Sequence, residues 1–141
     1  MILKPIIKRI PLPPERTFLI NDTVYDPMVQ LVARQLITYV IENPGKTITY
    51  GDLVKLCNNK VNPHFGLNNI LYKIVELCKI NHLPLISAVV CNKRTKLPGT
   101  GFWQEFYSHI PEKEWPAKLE ECLFEIADCD EWEDFLDIFS T

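Results

Sequence analysis

Residues 49–81 read TYGDLVKLCNNKVNPHFGLNNILYKIVELCKIN, and this stretch decides the fold. Thr49 is a residue type that caps helices, and Asp52 follows it at the spacing of a capping box. The pattern predicts a short helix from Tyr50 to about Cys57. The polar residues 58–62 then predict a turn, which leads into a longer helix.

That longer helix is predicted to begin at Pro63, a residue type favoured at the first helical position, and to end at about Asn81. Its apolar residues recur at helical spacing and predict a buried side, formed by Leu67, Ile70, Leu71, Ile74, Leu77 and Cys78. The other side of the helix is predicted to be exposed and is formed by Asn68, Asn69, Tyr72, Lys73 and Glu76.

The segments on either side extend this pattern. Upstream, Asp26 precedes a proline and begins an amphipathic helix that ends before Pro44. Downstream, the apolar residues 85–91 predict a buried strand. Residues 92–96 predict a basic turn, and residues 97–102 predict a tight, glycine-containing segment that returns the chain toward the core. Three helices, a strand, a basic turn and a return are the order of a winged helix-turn-helix, here over residues 26–102.

The two ends differ from this core. Residues 1–25 are rich in proline near their start and predict an extended arm. Residues 103–141 are acidic and aromatic and predict a helical tail that packs on the same domain. The predicted class is therefore α/β, mostly α, with a winged-helix core, an extended N-terminal arm and an acidic C-terminal helical segment.

The charge is divided unevenly along the chain. Residues 1–96 carry 13 Lys/Arg and 6 Asp/Glu, whereas residues 97–141 carry 2 Lys/Arg and 12 Asp/Glu. A basic body followed by an acidic end indicates two surfaces with different partners. The alternative is that these charges only keep the protein soluble.

Other features of the sequence exclude several classes of protein. The chain has five cysteines and no C-x-x-C pair, which is typical of reduced thiols and favours a cytoplasmic protein. No apolar run has the length of a membrane span. Cys78 and His82 stand four residues apart, but nothing nearby completes a metal site, and a buried cysteine is the preferred interpretation. We therefore expect no metal, no cofactor and no membrane partner.

In a winged helix the third helix lies in the major groove of duplex DNA and the wing contacts the backbone. Lysine and arginine in the basic turn would meet phosphates, and asparagine amides can pair with an adenine edge. The candidate DNA-binding residues are Tyr50, His64, Asn68, Asn69, Tyr72, Lys73, Lys93, Arg94 and Lys96. The alternatives are that Tyr50 packs within the fold and that Asn68 and Asn69 belong to a solvated face.

Over about residues 28–102 the sequence resembles the C-terminal domain of the O6-alkylguanine-DNA alkyltransferases and alkyltransferase-like proteins. The resemblance is carried by Thr47-Ile48-Thr49-Tyr50-Gly51-Asp52-Leu53, Asn62-Pro63, Leu83-Pro84, Val89-Val90 and Pro98-Gly99-Thr100-Gly101-Phe102. It implies a DNA-binding fold. In that family the tyrosine that matches Tyr50 presses on the DNA backbone while a base is flipped out.

The chain departs from the family at the residues that perform the chemistry. The position of the acceptor cysteine holds Ile86 or Val89, depending on the alignment. The base-displacing arginine is replaced by Leu67. Cys91 lies just beyond the paired valines and has no neighbouring histidine to lower its pKa. The resemblance therefore implies the binding scaffold without alkyl transfer, and Cys91 as a nucleophile is the less favoured alternative.

The sequence thus predicts a non-catalytic protein that binds duplex DNA. The alternative is a protein-interaction factor, for example an immunity, antitoxin or phage counter-defence protein, that uses the acidic C-terminal helices. Its candidate partner-binding residues are Trp132, Phe135 and Phe139. Two further interpretations of the tail are a solvated helix and a segment that folds over the basic face and opposes DNA binding.

Overall fold

The first helix, α1 (Pro27–Glu42), begins as the sequence predicts. The Asp26 carboxylate accepts a hydrogen bond from the backbone N–H of Met28 at 2.9 Å, and a proline occupies the first turn. The computed structural model, which describes residues 16–62 and 66–140, buries one side of this helix. The buried residues are Val29, Val32, Ala33, Leu36, Ile37 and Val40.

A two-residue strand, β1 (Ile48–Thr49), leads into α2 (Tyr50–Leu56). The Thr49 hydroxyl accepts a hydrogen bond from the backbone N–H of Asp52 at 3.0 Å, which is the predicted cap. The turn after α2 contains Asn58 and Asn59, both with φ near +57°. Asparagine tolerates this left-handed conformation better than most residues, so the chain can reverse here.

The long helix, α3 (Leu67–Ile80), begins at Leu67 rather than at Pro63, and residues 63–65 lie outside the described part of the chain. Its buried side contains every residue predicted for it, together with Val75. This side packs on α1. The predicted outer face is exposed at Asn68, Asn69 and Tyr72 and half-buried at Lys73 and Glu76.

The predicted strand over residues 85–91 is wrong for most of its length. Ile86–Val89 forms a 3-10 turn, and only Val90–Cys91 forms a strand, β2. An apolar run alone does not distinguish a buried strand from a buried helical turn. Here α3 and a later helix cover the segment, so its side chains are buried without a sheet around them.

The structure also differs from the sequence prediction at the wing. β2 pairs with β1 in parallel, with Ile48 opposite Val90 and Thr49 opposite Cys91. The basic turn is followed not by a returning strand but by a helix, α4 (Thr100–Phe106). The fold is therefore mostly helical with a small two-stranded parallel sheet, which confirms the mostly α class of α/β protein.

Two more helices, α5 (Trp115–Asp128) and α6 (Trp132–Asp137), complete the described chain. The Trp103 ring of α4 stacks on the Trp115 ring, with centroids 4.9 Å apart and planes at 4°. α6 packs against α1.

This packing corrects the assignment of the tail aromatics as partner-binding residues. The exposed fraction is 4% for Trp132 and 0% for both Phe135 and Phe139. Their rings belong to the core, because the acidic residues between them turn outward while the aromatic ones turn inward. In this conformation they offer no surface to another protein.

Some predictions fall on residues that the structure does not describe. Most of the predicted N-terminal arm, residues 1–15, is outside the described part, as is His64. Arg16 and the residues after it are described, and they include a 3-10 turn at Asp22–Tyr25. Within residues 16–62 and 66–140, no helix combines the length and the apolar character that crossing a membrane requires.

Asn81, at the end of α3, ties this N-terminal segment to the core. It is 3% exposed. Its amide nitrogen donates to the carbonyls of Leu19 at 2.9 Å and Leu77 at 2.8 Å, and its amide oxygen accepts from the Leu19 N–H at 2.7 Å. Arg16 donates to the Asn81 carbonyl and to Glu131. One buried side chain thus satisfies both backbone groups of Leu19.

We predict that Asn81→Ala lowers the free energy of unfolding by about 1–3 kcal/mol, because it leaves buried polar groups unpaired. Urea unfolding followed by circular dichroism measures the change. Asn69→Ala, on the exposed face of the same helix, is the control and should change stability by less than about 0.5 kcal/mol. Equal stability of the two variants would contradict the role of Asn81.

Candidate nucleic-acid interface

Three separate segments of the chain meet around an open cleft of about 550 Å³. They are the end of β1 with the start of α2, the start of α3, and the basic turn after β2 with the residues that lead from it to α4. We call this space the Lys93 cleft; it is lined by Thr49, Tyr50, Gly51, Asp52, Lys55, Asn68, Asn92, Lys93 and Gly99. Two ammonium groups and one carboxylate line it, so its charge is weakly positive.

Tyr50 occupies a fixed position at the edge of this cleft. Its hydroxyl accepts a hydrogen bond from the Gly99 N–H at 3.0 Å, which joins α2 to the segment before α4. A Cβ atom at position 99 would lie 3.3 Å from that hydroxyl, so glycine leaves room for the contact. Burial raises the pKa of Tyr50, while the Gly99 hydrogen bond acts in the opposite direction. The hydroxyl is therefore engaged within the fold, and the ring remains as a wall of the cleft.

The outer face of α3 is mixed in charge. Asn68 lines the cleft, whereas Asn69 and Tyr72 are exposed beyond it. The Tyr72 hydroxyl lies 3.4 Å from a carboxylate oxygen of Glu105 on α4. Negative charge at Glu105, and then at Glu76, raises the pKa of Tyr72. One part of the face is thus an amide surface, and the part next to α4 is acidic.

The basic turn is held in shape by its own backbone. Asn92 accepts the N–H of Arg94 through its side chain and the N–H of Lys96 through its carbonyl, both at 2.8 Å. Lys96 has φ of 60°. The side chains of Lys93, Arg94 and Lys96 are exposed, and no ion pair found among the described residues involves them. Their charges are therefore open to an external anion.

A second cavity, of about 360 Å³, lies between α3 and α4. We call it the inner pocket; it is lined by Tyr50, Asn68, Leu71, Tyr72, Ser87, Gly99, Thr100, Gly101, Phe102, Glu105 and Phe106. It shares Tyr50, Asn68 and Gly99 with the Lys93 cleft, so the two spaces adjoin. Four aromatic rings, a carboxylate, an amide and hydroxyl groups surround it.

The structure therefore brings together part of the predicted site. Tyr50, Asn68 and Lys93 meet at the Lys93 cleft, and Tyr72 joins the inner pocket. The other described candidates, Asn69, Lys73, Arg94 and Lys96, line neither space.

Sequence reasoning misses the inner pocket because the glycines in residues 97–102 predict a return to a strand. The spacing of Phe102 and Phe106, four residues apart, is a signal of helix α4 that could have found it.

The cysteines offer no activated nucleophile. Cys91 is 2% exposed, and burial raises its pKa to about 11. Cys78 is also buried, and its pKa is raised to about 12 for the same reason. Among the described cysteines Cys129 alone is partly exposed. Among residues 16–62 and 66–140, no group of three or more histidine, cysteine and acidic residues has the geometry to hold a metal ion.

We predict that iodoacetamide at pH 7.5 modifies Cys129 of the folded protein well before Cys91. A pKa raised from 9.0 to about 11 leaves roughly a hundredfold fewer thiolates, and burial blocks access as well. Peptide mass spectrometry at timed intervals measures the order of labelling. Labelling in urea is the control, in which both thiols should react. Equal rates in the folded protein would show that Cys91 is accessible and activated.

Comparison with known proteins gives no relative for this chain. No family model, no curated protein and no solved structure matches it. The resemblance to the alkyltransferase-like proteins therefore rests on the sequence motifs quoted above.

Proposed function

We propose that this chain is a non-catalytic DNA-binding protein of the alkyltransferase-like type, in which the helix α4 stands where a winged helix has its returning strand. It binds duplex DNA through the exposed face of α3 and the basic turn after β2. One observation carries the proposal: Tyr50, Asn68 and Lys93 come from three separate segments and line one open cleft. A surface that combines ammonium groups, an amide and an aromatic ring suits a nucleic-acid backbone and base edges.

The charges favour a polyanion at this face. Lys55 and Lys93 line the cleft, and Arg94 and Lys96 are exposed in the same turn as Lys93. Each cation that neutralises a phosphate releases a counterion, which makes binding favourable at low salt. Asn92 holds the turn through hydrogen bonds, so these cations project from a defined backbone.

The inner pocket supports a second element of the proposal, an unpaired base. A base displaced from the duplex needs aromatic rings to stack on and polar groups to meet its edge. The inner pocket has both and adjoins the Lys93 cleft, where the backbone of the same nucleotide would lie. The family resemblance assigns Tyr50, which lines both spaces, to the backbone beside a flipped base.

We predict that affinity for a labelled 20-base-pair duplex falls steeply as salt rises, and that replacing Lys93, Arg94 and Lys96 by alanine flattens this dependence. The slope of log K against log salt should decrease by about 0.9 for each phosphate that the variant no longer neutralises. Fluorescence anisotropy between 20 and 200 mM salt measures both slopes.

The single substitution Lys93→Ala should also flatten the salt dependence. Its matched control is Lys113→Ala, which removes one exposed lysine from the 3-10 turn before α5. The Lys113 variant should keep the slope of the original protein. If no duplex binds at the lowest salt concentration, or if the two variants behave alike, the proposed function is wrong.

A second candidate function, a protein-interaction factor, is favoured by Phe124 on α5. This ring is 71% exposed, more than any other large apolar side chain in the described residues. Glu120, Glu121 and Glu125 line the same shallow depression, so a basic partner with an apolar contact residue would fit it. The buried aromatics of α6 have no part in this surface.

If this second candidate function is correct, one defined basic protein should be recovered with the original chain after cross-linking in cells. We predict that Phe124→Ser abolishes this recovery, because the substitution removes the exposed ring that the partner would contact. Lys113→Ala is the control and should retain that partner. Quantitative mass spectrometry compares the two variants. Unchanged recovery with Phe124→Ser would exclude this surface. Deletion of the whole tail is unsuitable as a test, because it removes Phe135 and Phe139 from the core.

A further inference from the structure

We propose that the inner pocket binds a small organic molecule through a quaternary ammonium group. The aromatic side chains of the pocket surround the cation, and the carboxylate of Glu105 balances its charge. This site goes beyond the proposed function, because the cation binds without DNA. The cation and a displaced base exclude each other from the pocket, whereas a duplex still reaches the Lys93 cleft.

The inner pocket differs from the adjoining Lys93 cleft in the sign of its charge. Of the described residues in its lining, Glu105 alone is charged, and its side chain is exposed. None of the ion pairs in the described part of the chain includes it. The ammonium groups of Lys55 and Lys93 line the cleft but not the pocket. The pocket therefore attracts a cation and repels a phosphate.

The walls of the pocket are largely aromatic, with the side chains of Tyr50, Tyr72, Phe102 and Phe106 in its lining. The rings of Phe102 and Phe106 have centroids 5.4 Å apart and planes at 61°, so they form two walls rather than one flat surface. Aromatic rings attract cations through the negative charge of their faces. Methyl groups on a nitrogen pack on such rings, whereas a primary ammonium is more strongly hydrated, and this difference favours a quaternary ammonium.

Two interactions within the protein indicate negative potential around this space. The Lys79 ammonium lies 5.6 Å from the centroid of the Phe106 ring, so one wall of the pocket already engages a cation. The Tyr72 hydroxyl lies 3.4 Å from a carboxylate oxygen of Glu105. The negative charges at Glu105 and Glu76 raise the pKa of Tyr72. A ligand cation in the pocket gains from the same potential.

The volume of the pocket, about 360 Å³, suits a small molecule. Ser87 and Thr100 also line it, and their hydroxyl groups can donate to or accept from a polar group on the same ligand. Choline combines a trimethylammonium group with one hydroxyl and is therefore a suitable probe. Its neutral isostere, 3,3-dimethylbutanol, has carbon in place of the nitrogen and tests whether the charge is recognised.

The experiment titrates the full chain, without DNA, with choline and with the isostere. NMR shifts of the Gly99 and Gly101 amides report binding, because both glycines line the pocket. We expect choline to bind on the order of tenfold more tightly than the isostere, from the typical strength of cation–π contacts. Equal affinities would overturn the proposal. A peptide that carries trimethyllysine is a third ligand, and binding of this peptide without binding of choline would overturn the assignment to a small molecule.

Glu105→Gln tests the role of the carboxylate, because it removes the charge and keeps the size of the side chain. The affinity for choline should fall about threefold, as for other exposed ion pairs, while the affinity for the isostere should not change. Glu76→Gln is the matched control. It removes the other carboxylate near Tyr72 but does not alter the lining, so it should weaken choline binding less than Glu105→Gln does.

Tyr72→Leu tests the role of the rings and should reduce the preference for choline over the isostere. Tyr25→Leu is its control, since Tyr25 is an exposed tyrosine that does not line the pocket. If each control variant behaves like its partner, the cation does not bind in the inner pocket. None of these results depends on DNA, so failure here leaves the proposed function standing. Circular dichroism of each variant verifies that it is folded.

Discussion

The burial of one side of α3 against α1 is the constraint on which the rest of the molecule depends. Seven α3 side chains are buried, from Leu67 to Cys78. Full burial of an aliphatic side chain stabilises a fold by about 1.5–3 kcal/mol, so this helix cannot rotate about its axis without a large loss. Its polar residues are consequently held outward at Asn68, Asn69 and Tyr72. The candidate surface follows from the core, since the same helix forms both.

Features governed by short-range chemistry could be predicted from the sequence. The cap at Asp26, the cap at Thr49 and the apolar stripe of α3 each depend on residues within a few positions of one another. Features that depend on residues far apart in the chain could not be predicted from the sequence. The parallel pairing of Ile48 with Val90 joins residues far apart in the chain, and no local pattern specifies it. The burial of Trp132, Phe135 and Phe139, which removes the surface that their predicted partner role requires, could not be predicted either, because it depends on packing against distant parts of the chain.

The candidate site, like the fold, could be predicted only in part. Tyr50, Asn68 and Lys93 could be selected from their residue types and the order of the elements, and they line one cleft. The neighbouring pocket could not be anticipated, because it exists only where α4 lies beside α3. Glu105 carries no motif, and the other acidic residues of the tail all lie from position 112 onward. Its place in the lining of the inner pocket distinguishes it from Glu76, the other carboxylate near Tyr72.

The stack of Trp103 on Trp115 has a mechanical consequence for the whole C-terminal third. α4 presents Glu105 to the inner pocket, while its Trp103 ring lies almost flat, at 4°, on the first residue of α5. Well-packed interiors are stiff and transmit displacement instead of absorbing it. A ligand that displaced α4 would therefore have to carry the Trp115 ring along with Trp103 or separate the two stacked indoles.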